Sequence, residues 1–277
     1  MTDRTGDPSD NTAQPPILIH AEDGVRTITL NRPAAFNSFN QQMKSALLEA
    51  VAEAAADPAV RVLVLTGAGR AFCAGQDLKE HLARVQANDP AVADTVTAFY
   101  NPLVTALTEM RKPVLAAVNG VAAGAGAALA FACDLRIAAA SASFSLAFAG
   151  VALSADTGAS YTLPRLVGQG RAMRMMLLGE KVGAAEALRI GMVDEVVEDA
   201  AFSGRVTRLA AQLAAGPTAA YGWIKASVAH AADTDLAGTL AFEDRAQAAC
   251  FTSADHREAL DAFVGKRPPR FGPHDVP

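Results

Sequence analysis

From Lys112 to Ser160 the chain reads KPVLAAVNGVAAGAGAALAFACDLRIAAASASFSLAFAGVALSADTGAS, small and apolar residues among which Asp134 and Asp156 are the only acids. Val114–Val118 is β-branched and aliphatic, which predicts a buried strand, and Asn119-Gly120 breaks it. The alanine-rich run that follows predicts a helix from near Gly124 to Cys133. Glycines at a helix start let a ligand approach the backbone, whose free N–H groups favour negative charge. The expectation is a strand–loop–helix unit that stabilises a developing anion, with Asp156 moving a proton beside it. Val114–Cys133 is long enough to cross a membrane, but Asn119 and three interior glycines favour a buried strand and helix instead.

Around this stretch, strands and helices alternate. Residues 17–31 predict a hairpin turning at Asp23-Gly24. Phe39–Ala56 predicts a helix, and Val60–Thr66 a strand buried on both faces. A short strand at Ala71–Cys73 leads into the loop Ala74–Leu78, and a helix–loop–helix segment spans Asp94–Met110. Further strands are expected at Leu135–Ala139, Ala142–Leu146 and Val193–Val197, with helices at Pro164–Leu178 and Val182–Ile190. Asp199–Val264 is helical in pattern apart from Gly216-Pro217. The alternation predicts an α/β fold of βαβ-type units with right-handed crossovers. Residues 1–16 read as a disordered tail, 17–200 as the core and 201–277 as a helical region; no repeat is visible in the letters themselves.

The formal net charge of −5 and the lack of a basic stripe argue against a nucleic-acid partner. Three scattered cysteines support neither a disulfide framework nor a metal site. No apolar leader opens the sequence, which predicts a cytoplasmic protein without a membrane segment. The phosphate-loop, zinc-protease and nucleophile-elbow signatures are missing, and the five histidines are far apart in sequence. Ser154 reads as a turn cap and Asp134, at a helix-to-strand junction, as a binder of backbone N–H groups. Taken alone, Asp156-Thr157-Gly158 reads as a helix N-cap. Two loops of small residues, Ala71–Leu78 and Gly120–Gly126, each follow a buried strand. Their N–H groups can converge on one carbonyl oxygen, and tight packing is the equally plain alternative.

The segments AFCAGQDLKE (71–80), KPVLAAVNGVAAGAGAALAFACDLRIA (112–138) and LPRLVG (163–168) resemble the enoyl-CoA hydratase/isomerase, or crotonase, superfamily over essentially Ile17–Phe271. The resemblance implies a crotonase-like superhelix of stacked ββα units with a C-terminal helical trimerisation region, as a homotrimer or dimer of trimers. It also implies an acyl-CoA substrate, whose CoA belongs to the thioester, and no separate cofactor or metal. The enolate oxygen would be held by the backbone N–H groups of Gln76 and Ala125. CoA contacts fall on Ala74, Gln76, Asp77, Leu78 and Gly124, with Phe36 near the pantetheine entry and Phe263 and Lys266 reaching a neighbouring subunit's CoA. The two glutamates of the family's hydratases are replaced by Ala128 and Phe148, whereas the superfamily's third acidic position is filled by Asp156 in LSADTG. That position resembles the aspartate of the dienoyl-CoA isomerases and of the 1,2-epoxyphenylacetyl-CoA isomerases of phenylacetate breakdown. The latter also resemble Leu65–Asp77, Ala98–Leu103 and Asn119–Ala127. Proton transfer by Asp156 is therefore expected, in surroundings (Phe148, Val151, Leu153) that raise its pKa. Acyl-pocket walls are expected at Leu82, Phe99 and Tyr100. A hydratase and a catalytically silent acyl-CoA-binding protein are the alternatives.

Overall fold

The structure, a computed structural model, describes residues 14–272, so the expected tail at 1–16 lies outside it except for its last three residues. The expected hairpin is present: β1 (Ile17–Glu22) and β2 (Val25–Leu30) pair antiparallel, with Asp23 and Gly24 both at positive φ in the turn. Helix α1 (Gln41–Ala56) starts two residues later than expected, because Asn40 caps it by accepting from Met43 N–H. The strands β3 (Val62–Gly67), β5 (Val114–Val118), β7 (Leu135–Ala139) and β10 (Glu195–Val197) then extend the hairpin in the order β1-β2-β3-β5-β7-β10. Side chains alternate through this sheet. Leu63, Leu65, Ala116 and Val118 join the main core, whereas Val62, Val64, Leu115 and Ala117 pack towards Phe202, Ala210 and Ala214 of α8 (Asp199–Ala214). Both faces are covered, which explains the unbroken apolar runs of β3 and β5.

A second sheet runs β4-β6-β8-β9, from β4 (Ala71–Cys73), β6 (Val121–Ala123), β8 (Ser143–Ser145) and β9 (Val182–Gly183). Each of β3–β4, β5–β6 and β7–β8 gives one strand to each sheet, and a helix follows each pair. These helices are α2 (Leu78–Gln86), α4 (Ala125–Phe131) and, after a 3-10 turn at Ala149–Val151, α5 (Ala159–Val167). The repeat invisible in the letters is thus one of ββα architecture, and the α/β expectation holds.

Several local expectations need correction. The loop Gly120–Gly126 contains β6, whose three residues are too few to show a period. Helix α2 was not expected; Asp77 starts it by accepting from the N–H groups of Lys79 and Glu80. Residues 94–110 contain no interhelical loop: a π-helical turn (Val96–Tyr100) runs directly into α3 (Asn101–Glu109). Pro102, which has no N–H to give, sits just past the widened turn. The helix expected at 164–178 is split at Gly168 (φ +81°) into α5 and α6 (Gln169–Leu178). The segment 182–190 begins as β9 before α7 (Ala184–Arg189). The tail breaks between α8, α9 (Thr218–Ala231), α10 (Leu236–Phe251) and α11 (Ala254–Val264). Asp134 has the structural role expected of it, accepting from Val114 N–H at 2.7 Å, and pairs with Lys225 of α9 at 2.8 Å. No helix among the described residues is long and apolar enough to cross a membrane.

The two layers meet where α4 lies on β4. A Cβ added to Gly126 would stand 2.2 Å from the carbonyl oxygen of Cys73, so only glycine fits. Gly126→Ala should therefore cost about 1–3 kcal/mol, the usual penalty of overpacking, seen as a lower urea midpoint. An unchanged midpoint would contradict this packing.

Candidate active site

Two backbone N–H groups and one carboxylate meet at a cavity of about 800 Å³. The first N–H belongs to Gln76. Phe39 N–H donates to Gly75 O at 2.7 Å and Phe39 O accepts from Asp77 N–H at 3.1 Å, a parallel bridge that leaves the Gln76 N–H on the opposite side. Gly75 (φ +86°) lets this loop touch the next one: a Cβ there would stand 2.8 Å from Ala123 O and 3.2 Å from Ala125 N. The second N–H belongs to Ala125, the first residue of α4. Gly124 turns the chain into that helix at φ 49° and ψ −126°, a positive-φ conformation that favours glycine. Its own N–H donates to Ser145 O at 2.9 Å. Among the described residues, neither the Gln76 nor the Ala125 N–H meets a protein acceptor. A helix start with free N–H groups favours negative charge.

The carboxylate is Asp156, on the loop between β8 and α5. Ala152 (φ 58°), Thr157 (φ 53°) and Gly158 (φ 71°) all adopt left-handed conformations there, and for the two non-glycine residues this is stored strain. Asp156 is not the helix N-cap; Gly158 holds that place without a side-chain bond, and the aspartate accepts instead from Thr157 Oγ1 at 2.8 Å. Phe148, Val151, Leu153 and Tyr161 share the cavity wall with it. Burial pushes its carboxyl above the ordinary range, although the Thr157 hydrogen bond works against that. Among the described residues, Asp156 is the sole carboxylate on this wall. Ala128 is buried inside α4, and Phe148 faces the cavity.

The structure brings together Ala74, Gln76, Leu78, Gly124, Ala125 and Asp156 on one surface. Asp77 lies beside it, occupied in capping α2 and in an ion pair with Arg32 at 2.9 Å. Burial would raise the Asp77 carboxyl, but the Arg32 hydrogen bond and the N–H of Glu80 hold it below its usual value. Phe36 also lies off the wall, at φ 50° with the Arg70 guanidinium 4.3 Å from its ring centre. Phe263 and Lys266, near the end of α11, are exposed and do not line the cavity. Of the expected acyl walls, Tyr100 lines the cavity and Leu82 and Phe99 do not. Ser154 lines it too, and caps no turn among the described residues. His81, Val96, Asn101 and Tyr161 also line it and were not foreseen, because the letters alone do not show which residues of these segments face the cavity.

Residues 20–274 match the family model described as enoyl-CoA hydratase/isomerase. The 1,2-epoxyphenylacetyl-CoA isomerase of Escherichia coli (strain K12) is 45% identical over 255 residues, covering 92% of this chain and 97% of that protein. A Rhodobacter capsulatus protein described as a "probable enoyl-CoA hydratase" is 44% identical with the same coverage. Among solved structures, an enoyl-CoA hydratase from Bacillus anthracis superposes with a TM-score of 0.88 at 33% identity, covering 94% of this chain and all of that one.

The raised carboxyl has a consequence for stability. Because the folded state binds the Asp156 proton more tightly than the unfolded chain does, stability is lost as pH rises through the folded pKa. Asp156→Asn, which keeps an acceptor for Thr157, should therefore melt at or above the wild-type temperature at pH 7. That advantage should vanish below the ordinary carboxyl value of 3.8. A variant that melts lower at pH 7 would contradict the raised pKa.

Proposed function

This chain belongs to the enoyl-CoA hydratase/isomerase family, and within that family we propose that it is an acyl-CoA isomerase driven by one aspartate. The observation that carries this reading is the acid inventory of the cavity. Among the described residues Asp156 is the sole carboxylate lining the cavity with the two open N–H groups, and the family resemblance puts Ala128 and Phe148 where its hydratases carry glutamates. Without a second acid nothing at those positions activates a water molecule and delivers its proton. A single carboxylate can remove a proton at one carbon and return it at another.

In the proposed reaction Asp156 takes a proton next to the thioester or along a conjugated system. The negative charge moves to the thioester oxygen, where the N–H groups of Gln76 and Ala125 receive it. Each such donor typically contributes about 10²–10³ in rate, so the backbone pair matters as much as the base. Its raised pKa makes Asp156 a stronger base once ionised. The proton then returns from the Asp156 carboxyl to a different carbon. The relation to 1,2-epoxyphenylacetyl-CoA isomerase supports the 2-(1,2-epoxy-1,2-dihydrophenyl)acetyl thioester as substrate, opening and expanding to an oxepin-type ring. A related enoyl-CoA would undergo a double-bond shift. Ala74, Leu78 and Gly124 would hold the CoA with Phe36 and Asp77 alongside, CoA remaining part of the substrate.

The oligomer belongs to the same proposal. Ile224, Val228, Leu236, Phe263 and Val264 on the C-terminal helices are 60–83% exposed, more apolar surface than a lone helical region leaves in water. A homotrimer or dimer of trimers would cover it and bring Phe263 and Lys266 to a neighbour's CoA.

Asp156→Asn should lower turnover of the epoxide thioester by about 10²–10⁴, the range for loss of a general base, with binding of the thioester within a few-fold of wild type. Retained turnover would overturn the assignment. The second reading, a hydratase, is favoured by the name given to the Rhodobacter relative. Crotonyl-CoA separates the two: rapid loss of its conjugated absorbance in wild-type enzyme would favour hydration, and its persistence favours isomerisation.

A further inference from the structure

Resting on that reading, we propose that Tyr100 is a positioning residue that locks Gln76 and thereby keeps the Gln76 N–H aimed at the substrate oxygen. The Tyr100 hydroxyl donates to Gln76 Oε1 at 2.5 Å. The tyrosine closes the π-helical turn before α3, and it is 2% exposed. Its ring meets Phe39 edge-on at 6.1 Å and Phe99 at 5.1 Å between centres. Phe39 is also the residue whose backbone brackets Gln76 through the Gly75 and Asp77 hydrogen bonds. A closed triangle results. Gln76 is held at its backbone by Phe39 and at its side chain by Tyr100, and the two holders pack on each other.

The triangle joins elements far apart in sequence: the approach to α1, the loop after β4 and the turn before α3. Small errors in donor placement cost rate steeply, so a loop carrying a donor gains from fixation on both sides. Tyr100 also lines the cavity. Burial, followed by the nearby Asp156 charge, pushes the phenol well above its ordinary value, so it remains a hydrogen-bond donor at every working pH. The widened π turn fits this role, since such turns are frequent at functional sites.

Tyr100→Phe keeps the ring and its packing while deleting the hydroxyl; Gln76→Met deletes the acceptor at similar length. Each should lower kcat by roughly tenfold or more with KM changed by less than about threefold, and the double variant should lose no more than the worse single one. In Tyr100→Phe, amide exchange at Asp77, whose N–H donates to Phe39 O, should accelerate by about tenfold while α1 is unchanged. A kcat within about twofold of wild type, losses that multiply in the double variant, or unchanged exchange at Asp77 would each overturn the role. The exchange measurement needs no turnover. Failure of the isomerase reading, shown by an active Asp156→Asn, is therefore distinguishable from failure of the Tyr100 lock.

Discussion

Everything at the site depends on two backbone segments lying closer than side chains permit. Gly126 rests on the carbonyl of Cys73, and Gly75 rests on the stretch from Ala123 to Ala125. Because of that approach, the loop after β4 and the start of α4 share one wall, and two N–H groups from different ββα units open into the same cavity. The surrounding architecture serves the approach. One strand from each unit enters the six-stranded sheet and the next enters the four-stranded sheet, so successive loops are stacked side by side. Asn119 joins the neighbouring loops further, accepting from Gly67 N–H and donating to Gly69 O.

Against this fixed scaffold the acid is placed on a strained segment. Three left-handed residues within 152–158 turn Asp156 towards the cavity, and apolar neighbours desolvate it. Such a carboxylate destabilises the fold at neutral pH, and its retention there is consistent with a chemical role rather than a structural one. Asp134 is the contrast. It lies in the same small-residue stretch, but it is bound to Val114 N–H and Lys225 and has no access to the cavity wall.

Much of this was legible in the sequence, and the limits have physical causes. The hairpin, β3, β5 and β7 were readable because long apolar runs and an Asp-Gly turn report burial and reversal directly. Strand β6 was hidden because its three residues sit among glycines and alanines that suit a loop equally well. The unit α2 was missed because its face towards the rest of the chain is thin: Leu78, Leu82 and Val85 all remain about half exposed. Gln76, Ala125 and Asp156 could be named from the motif, but their convergence is a property of the stacked loops. The role proposed for Tyr100 was beyond reach, since it depends on a hydrogen bond across 24 residues and on a π turn that carries no sequence signature.

In the proposed reaction Asp156 carries a proton between carbons of a thioester whose enolate oxygen is received by the Gln76 and Ala125 N–H groups. The most direct test is proton exchange in D₂O, followed by ¹H NMR on phenylacetyl-derived and aliphatic enoyl-CoA thioesters. Wild-type protein should place deuterium at the carbon next to the thioester or along its conjugated chain, and Asp156→Asn should place none. Exchange that persists in Asp156→Asn, or wild-type protein that binds these thioesters without exchanging any, would contradict it.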